Sequence, residues 1–316
     1  MPAPGDATAQ LPSGTRLGGR YIIRKLMGSG GMSQLYLGEH EIISKPVAIK
    51  VLAESMCTQE AVVGRFLHEA RASSKVQHEH IVEVTDFGGA DDGRPFMVME
   101  YLDGEDLGET LIREGPFSWE RARPMLLQLL AALQAAHDAG VIHRDIKPEN
   151  IFRISRMGSD DYIKVLDFGI AKVYEEGQVT PSTPQTLDGK VLGTPAYMSP
   201  EQCLGEDLDA RSDLYAVGVI AFQMLTGHTP FESKAPIEVM RKHVYEAVPP
   251  MAEVDPELGL RGPFEIVVRR ALEKNPNDRY QSAWDFAEAL FEDIDLLSSS
   301  VLPGLRNLFR RRARRG

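Results

Sequence analysis

The sequence predicts an α+β protein of two lobes, a small β-rich lobe with one helix followed by a larger α-helical lobe. Three observations predict it. Short runs of strand-like alternation crowd the first hundred residues. One helical period, over residues 61–75, interrupts them. After Asp103 the apolar residues recur at helical spacing.

Residues 1–19 are rich in Pro, Gly, Ala and Thr without periodicity, which predicts disorder. Residues 21–27, 33–40 and 46–52 read as strands, and the first two flank a glycine cluster. Residues 61–75 read as a helix with Thr58 as its N-cap, followed by strands over 81–87 and 95–101. These make the smaller lobe, 20–100, and residues 103–293 make the larger. A helix over 119–139 starts after Ser118 and stops at Gly140. Residues 213–226 form an apolar helix closed by Gly227. Helices over 264–274 and 283–293 follow, separated by Asn275-Pro276-Asn277, and Ser282 with Asp285 resembles a capping box. Residues 294–316 form a basic tail, and no internal repeat is evident.

The bulk properties exclude several function classes. A chain of 316 residues with 43% hydrophobic and 26% charged residues suits one large globular domain or two coupled lobes. No stretch approaches the ~18–20 apolar residues of a spanning helix; the longest, 214–225, holds Gly218 and Gln223. The N-terminus has no secretory pattern. Cys57 and Cys203 are far apart in sequence, which predicts a reducing compartment with neither a disulfide framework nor a zinc site. A cytoplasmic location is therefore expected. The net charge of −11 argues against nucleic-acid binding by the body of the chain. The tail departs from this: removing its six arginines would take the charge to −17.

Three segments carry chemistry. Met27, Gly28, Ser29, Gly30, Gly31, Met32, Ser33, Gln34 and Leu35 span a glycine-rich hairpin. Without a Cβ, glycine lets backbone N–H groups approach phosphates. No Gly-Lys-Ser/Thr follows, so this is not a Walker loop. In Val47-Ala48-Ile49-Lys50, alternation puts Ala48 and Lys50 on one face. An inward lysine needs an anionic partner, and Glu69 on the following helix is the candidate. The third segment is His143-Arg144-Asp145-Ile146-Lys147-Pro148-Glu149-Asn150, followed by Asp167-Phe168-Gly169 and Ser199-Pro200-Glu201.

These motifs, in this order, resemble the glycine-rich loop, strand lysine, H-R-D-x-x-x-x-N loop, D-F-G and A-P-E motifs of protein kinases. The resemblance covers residues 20–293 and is closest to bacterial Hanks-type (eukaryotic-like) serine/threonine kinases. Gly28-Ser29-Gly30-Gly31-Met32 and Gly193-Thr194-Pro195-Ala196-Tyr197-Met198-Ser199-Pro200-Glu201-Gln202 carry that part of it. Ser33 stands where a third glycine is usual, and Phe152 where leucine is frequent.

The resemblance implies the bilobal protein-kinase fold and transfer of the ATP γ-phosphate to Ser/Thr hydroxyls of proteins, autophosphorylation included. It implies that Asp145 orients the hydroxyl and Lys147 offsets charge at the γ-phosphate. Lys50 and Glu69 would position the phosphates. Asn150 and Asp167 would hold Mg²⁺, with Mn²⁺ as the alternative. Adenine would lie between Ala48 and Phe152, with Leu35 at its side. Met99 would stand as gatekeeper, and Glu100 and Leu102 would offer backbone groups. Asp213 would anchor the catalytic loop and Arg279 would pair with Glu201. His143, Phe168, Ser73 and Val84 would stack between the lobes. The pattern fits serine/threonine rather than tyrosine specificity.

With Arg144 beside Asp145, the resemblance also implies activation by a phosphate on the following segment. Thr186 is the first candidate, with Thr183, Thr180 and Ser182 behind it, and Asp188 adds constitutive charge. The arginine-rich tail has three readings: a solvated end, peripheral docking at the anionic inner face of a membrane, or docking to an acidic partner or nucleic acid. Relatives often pair through the smaller lobe, and many continue into a membrane span. This chain ends before one, so a soluble or shortened kinase is expected. Two rival functions are a pseudokinase scaffold and a small-molecule phosphotransferase. Lys50, Asp145 and Asp167 argue against the first, and the long segment before Ser199-Pro200-Glu201 against the second.

Overall fold

A computed structural model describes residues 10–167, 186–187, 190–191, 195–254 and 263–295. The smaller lobe is a six-stranded antiparallel sheet in the order β1-β2-β3-β4-β6-β5. Its strands are β1 (Arg16–Leu17), β2 (Tyr21–Ser29), β3 (Ser33–His40), β4 (Lys45–Leu52), β5 (Val84–Gly89) and β6 (Pro95–Glu100). Alternation on β4 divides the lobe. Val47, Ile49 and Val51 pack with Leu17, Tyr36 and Phe96 on one face. Ala48 and Leu52 pack on the other with Met97, Met99 and helix α1 (Glu60–Lys75), through Val62, Phe66 and Ala70.

The larger lobe is built on α3 (Trp119–Asp138) and α5 (Ala210–Thr226). Fourteen of the seventeen residues of α5 are buried, so it is apolar nearly all round and occupies the centre. Around it lie α2 (Leu107–Glu114), α4 (Pro200–Leu204), α6 (Pro236–Tyr245), α7 (Met251–Val254), α8 (Pro263–Ala271) and α9 (Ala283–Asp295). A small sheet, β7 (Gly104–Asp106), β8 (Ile151–Arg156) and β9 (Ser159–Val165), takes in the chain that follows directly on the loop 143–150. Gly104 is required there: a Cβ would stand 2.0 Å from the Arg153 carbonyl oxygen. The lobes are tied where Val82 N–H donates to the Val165 carbonyl (3.0 Å) and Val165 N–H to that of His80 (2.8 Å). A two-residue pair, β10 (Thr186–Leu187) and β11 (Lys190–Val191), precedes α4.

Several elements differ from expectation. Residues 10–19 are not disordered: β1 pairs with β2, Leu17 is buried, and Leu11 N–H donates to the Tyr36 hydroxyl. One leucine suffices to anchor a two-residue strand, which is too short to show periodicity. Residues 1–9 and the tail from 296 lie outside the described residues. Gln59, not Thr58, caps α1 and makes no side-chain capping bond. Ile81 and Val82 belong to the inter-lobe contact, and β5 starts only at Val84. Helix α5 begins at Ala210, capped by Asp209, which accepts from Arg211 N–H. Helix α8 stops at Ala271, where the N–H groups of Leu272 and Glu273 turn to the carbonyls of Arg269 and Arg270, three residues back, instead of continuing the four-residue ladder. The Ser282 hydroxyl accepts from Asp285 N–H at 3.0 Å, the forward half of a capping box.

Candidate active site

The cleft between the lobes is lined by Met27, Gly28, Gly30, Ser33 and Leu35 from the hairpin, and by Ala48 and Lys50 from β4. Met99, Glu100 and Leu102 line its back edge, and Phe152 and Asp167 its floor. Val82, Tyr101 and Leu166 also line it; none stands in a motif, and only their position beside Met99, Glu100 and Asp167 could have signalled them. Not every hairpin residue faces the cleft. Ser29, Gly31 and Met32 are exposed at the turn, where Gly30 N–H donates to the Ser33 carbonyl (2.8 Å). Gln34 points to the opposite face: it is buried, and its Oε1 accepts from the Tyr36 hydroxyl at 2.7 Å. The period of two decides this, since Leu35 faces the cleft. The Glu100 side chain turns away to accept from Lys164 Nζ and from Glu83 N–H.

Lys50 Nζ donates to Glu69 Oε1 at 2.6 Å and to Asp167 Oδ2 at 2.8 Å. Burial alone would lower this ammonium, but the two carboxylates outweigh it and hold Lys50 above the usual lysine range. One cation cannot fully serve two acids. Burial and then the neighbouring Asp167 raise the Glu69 carboxyl to about 7, with Lys50 offsetting only part. Asp167 is also pushed up by burial, but Lys50 outweighs that and leaves it below the ordinary range. Its backbone is left-handed, with φ 30°.

The loop 143–150 hangs from α5. Asp213 Oδ2 accepts from His143 N–H (2.9 Å) and Oδ1 from Arg144 N–H (2.8 Å), while His137 Nε2 lies 2.8 Å from Oδ2. Burial pushes Asp213 up, and His137 with these contacts outweighs it, so the carboxyl stays ionised below its usual range. His143 is fully buried, and burial lowers its pKa. Its Nε2 contacts the Leu166 carbonyl (2.9 Å) and its Nδ1 accepts from Asp145 N–H (3.3 Å), which fixes a neutral ring protonated at Nε2. Lys147 Nζ lies 2.9 Å from Asp145 Oδ2. Asn150 Nδ2 donates to the Asp145 carbonyl at 2.8 Å and Leu166 N–H to the Asn150 carbonyl at 2.8 Å, which brings Asn150 beside the chain entering Asp167. The amide nitrogen being used, Asn150 has its oxygen to offer a cation, and Asp167 a carboxylate. These hard oxygen donors suit a divalent metal.

Beyond the loop, Glu201 and Arg279 form a buried two-pronged ion pair, both contacts 2.8 Å. Ser73 and His143 are buried, and Val84 packs at the edge of the cluster beside α1. Phe168, Gly169, Gly193, Thr194, Asp188 and the candidates Thr180, Ser182 and Thr183 lie outside the described residues. Thr186 is described only by its backbone pairing with Val191. Sequence reasoning missed His243, buried on α6, whose Nε2 contacts the Ala196 carbonyl (3.1 Å) and whose Nδ1 contacts the Tyr215 hydroxyl (2.9 Å). It also gave no role to Gln202, the last residue of the segment 193–202, whose side chain reaches the loop at Arg144. Neither residue stands in the loop it supports, so only the fold reveals them.

Comparison with known proteins agrees with this geometry. A profile described as "Protein kinase domain" matches residues 21–291. The serine/threonine-protein kinase pkn3 of Myxococcus xanthus is 44% identical over 271 residues, 86% of this chain and 49% of that protein. The serine/threonine-protein kinase PknB of Mycobacterium tuberculosis is 37% identical over 273 residues, covering 85% and 42%. The chain thus spans about half or less of the curated relatives it matches. The crystal structure of the Mycobacterium tuberculosis PknI kinase domain superposes with a TM-score of 0.66 at 26% identity, covering 90% of this chain and all of that one.

Proposed function

The chain belongs to the protein kinase family, and on that premise we propose that it transfers the γ-phosphate of ATP to Ser and Thr hydroxyls of proteins. The observation that carries this is the convergence of Lys50, Glu69 and Asp167 within 2.8 Å contacts at the cleft, facing a loop that presents Asp145, Lys147 and Asn150. A scaffold that does no chemistry has no need of this set.

Each residue then has a role in in-line transfer. The Ser/Thr oxygen attacks the γ-phosphorus, the bond to the β,γ-bridging oxygen breaks, and ADP leaves. Asp145 orients the attacking hydroxyl and takes its proton. Lys147, beside Asp145, offsets charge on the transferring group. Lys50, aimed by Glu69, holds the α- and β-phosphates. Asn150 and Asp167 would hold the divalent metal, Mg²⁺ with Mn²⁺ as the alternative, which neutralises charge on the phosphate oxygens. Ala48, Leu35 and Phe152 offer apolar walls to adenine, Met99 limits the depth of the pocket, and Glu100 and Leu102 offer backbone groups at its edge. Incubation with radiolabelled ATP and a generic protein substrate, followed by phosphoamino acid analysis, tests this. Label on Ser or Thr supports it; label on Tyr alone, or only ATP binding, contradicts it.

We also propose control by phosphate on the segment before Ser199, with Thr186 first and Thr180, Ser182 and Thr183 as alternatives; Arg144 supports this as a cation adjoining Asp145. Mass spectrometry of active protein with all four unmodified would refute it. Self-association through the smaller lobe and a cytoplasmic location remain parts of the same proposal. For the arginine-rich tail we propose docking at an anionic membrane face, with an acidic partner as the alternative. Co-sedimentation with phosphatidylserine vesicles, with and without residues 301–316, separates them.

A further inference from the structure

We propose that Gln202 is a positioning residue for phosphoryl transfer: its carboxamide holds the Arg144–Asp145 peptide in the orientation that aims Asp145. The inference rests on the kinase reading above. Arg144 has φ 67°, a left-handed conformation that a residue with a Cβ adopts only when its surroundings hold it there. Two groups hold it. Asp213 Oδ1 accepts from the Arg144 N–H at 2.8 Å, from within the lobe. Gln202 Nε2 donates to the Arg144 carbonyl at 2.8 Å, from α4 and 58 residues away in sequence. That carbonyl belongs to the peptide whose N–H is Asp145's own, and this N–H donates to His143 Nδ1. The bond from Gln202 thus fixes the plane from which the Asp145 side chain departs.

The amide cannot be turned round. Gln202 Oε1 accepts from Ser199 N–H at 2.9 Å, so Nε2 must face the Arg144 carbonyl. Gln202 N–H donates in turn to the Ser199 hydroxyl at 3.3 Å, completing a capping box. Capping and positioning therefore make different chemical demands. Glutamate serves the box as well as glutamine, but it would set a carboxylate oxygen against the Arg144 carbonyl with no hydrogen between them. Gln202 also borders a small cavity with Asp145, Lys147, Tyr197 and Met198, beside the loop that carries Asp145. Through this clasp, Ser199 and α4 are tied to the peptide that carries Asp145.

The test compares wild type with Gln202→Glu and Ser199→Ala. For Gln202→Glu the expected result is a kcat lowered about 10- to 100-fold, a KM for ATP within twofold, and a thermal midpoint lowered no more than that of Ser199→Ala. Amide exchange in the peptide covering residues 143–150 should accelerate. The ratio of variant to wild-type kcat should rise as pH falls from about 7 to about 5, toward the ordinary carboxyl range, because protonating the new carboxyl restores a donor. Ser199→Ala weakens only the cap, so it should lower the midpoint and leave kcat within a few-fold. Gln202→Glu with wild-type kcat and exchange would overturn the proposal, as would a midpoint loss in proportion to its activity loss. Exchange is read without ATP, so failure of the clasp is distinguishable from a wild type that transfers no phosphate.

Discussion

The Glu201–Arg279 pair makes an asymmetric prediction. Arg279 is 1% exposed and donates to both Glu201 oxygens, to the carbonyls of Glu273 and Lys274 at 2.7 and 2.9 Å, and to that of Arg211 at 3.2 Å. Its guanidinium also lies 4.8 Å from the centre of the Tyr215 ring. Glu201 accepts from Arg279 and from the Ser212 hydroxyl at 2.7 Å. Glu201→Leu strands a buried cation, at a cost of about 3–5 kcal/mol. Arg279→Met strands the carboxylate and also deprives three carbonyls of a donor, so it should exceed Glu201→Leu by about 1–2 kcal/mol. The double variant strands no charge and should cost less than Arg279→Met alone, so the coupling should be no smaller than the cost of Glu201→Leu, about 3–5 kcal/mol. Urea unfolding followed by the fluorescence of Trp119 and Trp284 reports on the lobe concerned, because both tryptophans lie in it. Burial pushes the Glu201 carboxyl up, but Arg279 outweighs it and holds the folded pKa below the unfolded value. The stability this gives is present above the unfolded pKa and is lost as pH falls through the folded one. The gap between wild type and Glu201→Leu should therefore close on acidification below about pH 4. Additive single-variant costs, or a larger cost for Glu201→Leu, would refute the reasoning.

Two further outcomes follow from the site. With Glu69 raised to about 7, its ionised form, the partner Lys50 needs, is depleted as pH falls; kcat/KM should fall on the acid side of about 7, and Glu69→Gln should abolish that limb in a pH–rate profile. Asp213→Ala removes the acceptor for two loop N–H groups and should lower kcat by about 10- to 100-fold while leaving ATP affinity, measured by fluorescence titration, within a few-fold.

Much of the fold was legible because its signals are local. The alternation around Lys50 put it on the face it occupies, and the apolar run from Leu214 to Leu225 marked the central helix. The pairings of Lys50 with Glu69 and of Glu201 with Arg279 follow from motif order joined to a family resemblance; spacing alone would not have found partners nineteen and 78 residues apart. Other features were hidden for physical reasons. The two-residue strand at Arg16–Leu17 is shorter than any period that could announce it. Gln34 was grouped with the hairpin, whereas the pleat turns it to the opposite face. His243 and Gln202 act on backbone carbonyls, which carry no sequence signal at the accepting end.

The most direct measurement of the central claim separates nucleotide binding from transfer in single-turnover experiments with labelled ATP, Mg²⁺ and a protein substrate. The account predicts that wild type transfers label to Ser/Thr. Asp145→Asn should bind ATP with near-wild-type affinity yet transfer at least about 1000-fold more slowly, a loss of about 4 kcal/mol in transition-state stabilisation. Lys50→Met should lose transfer because the phosphates are no longer held. Transfer by Asp145→Asn at the wild-type rate, or tight ATP binding by a wild type that transfers nothing even after prior phosphorylation, would contradict it.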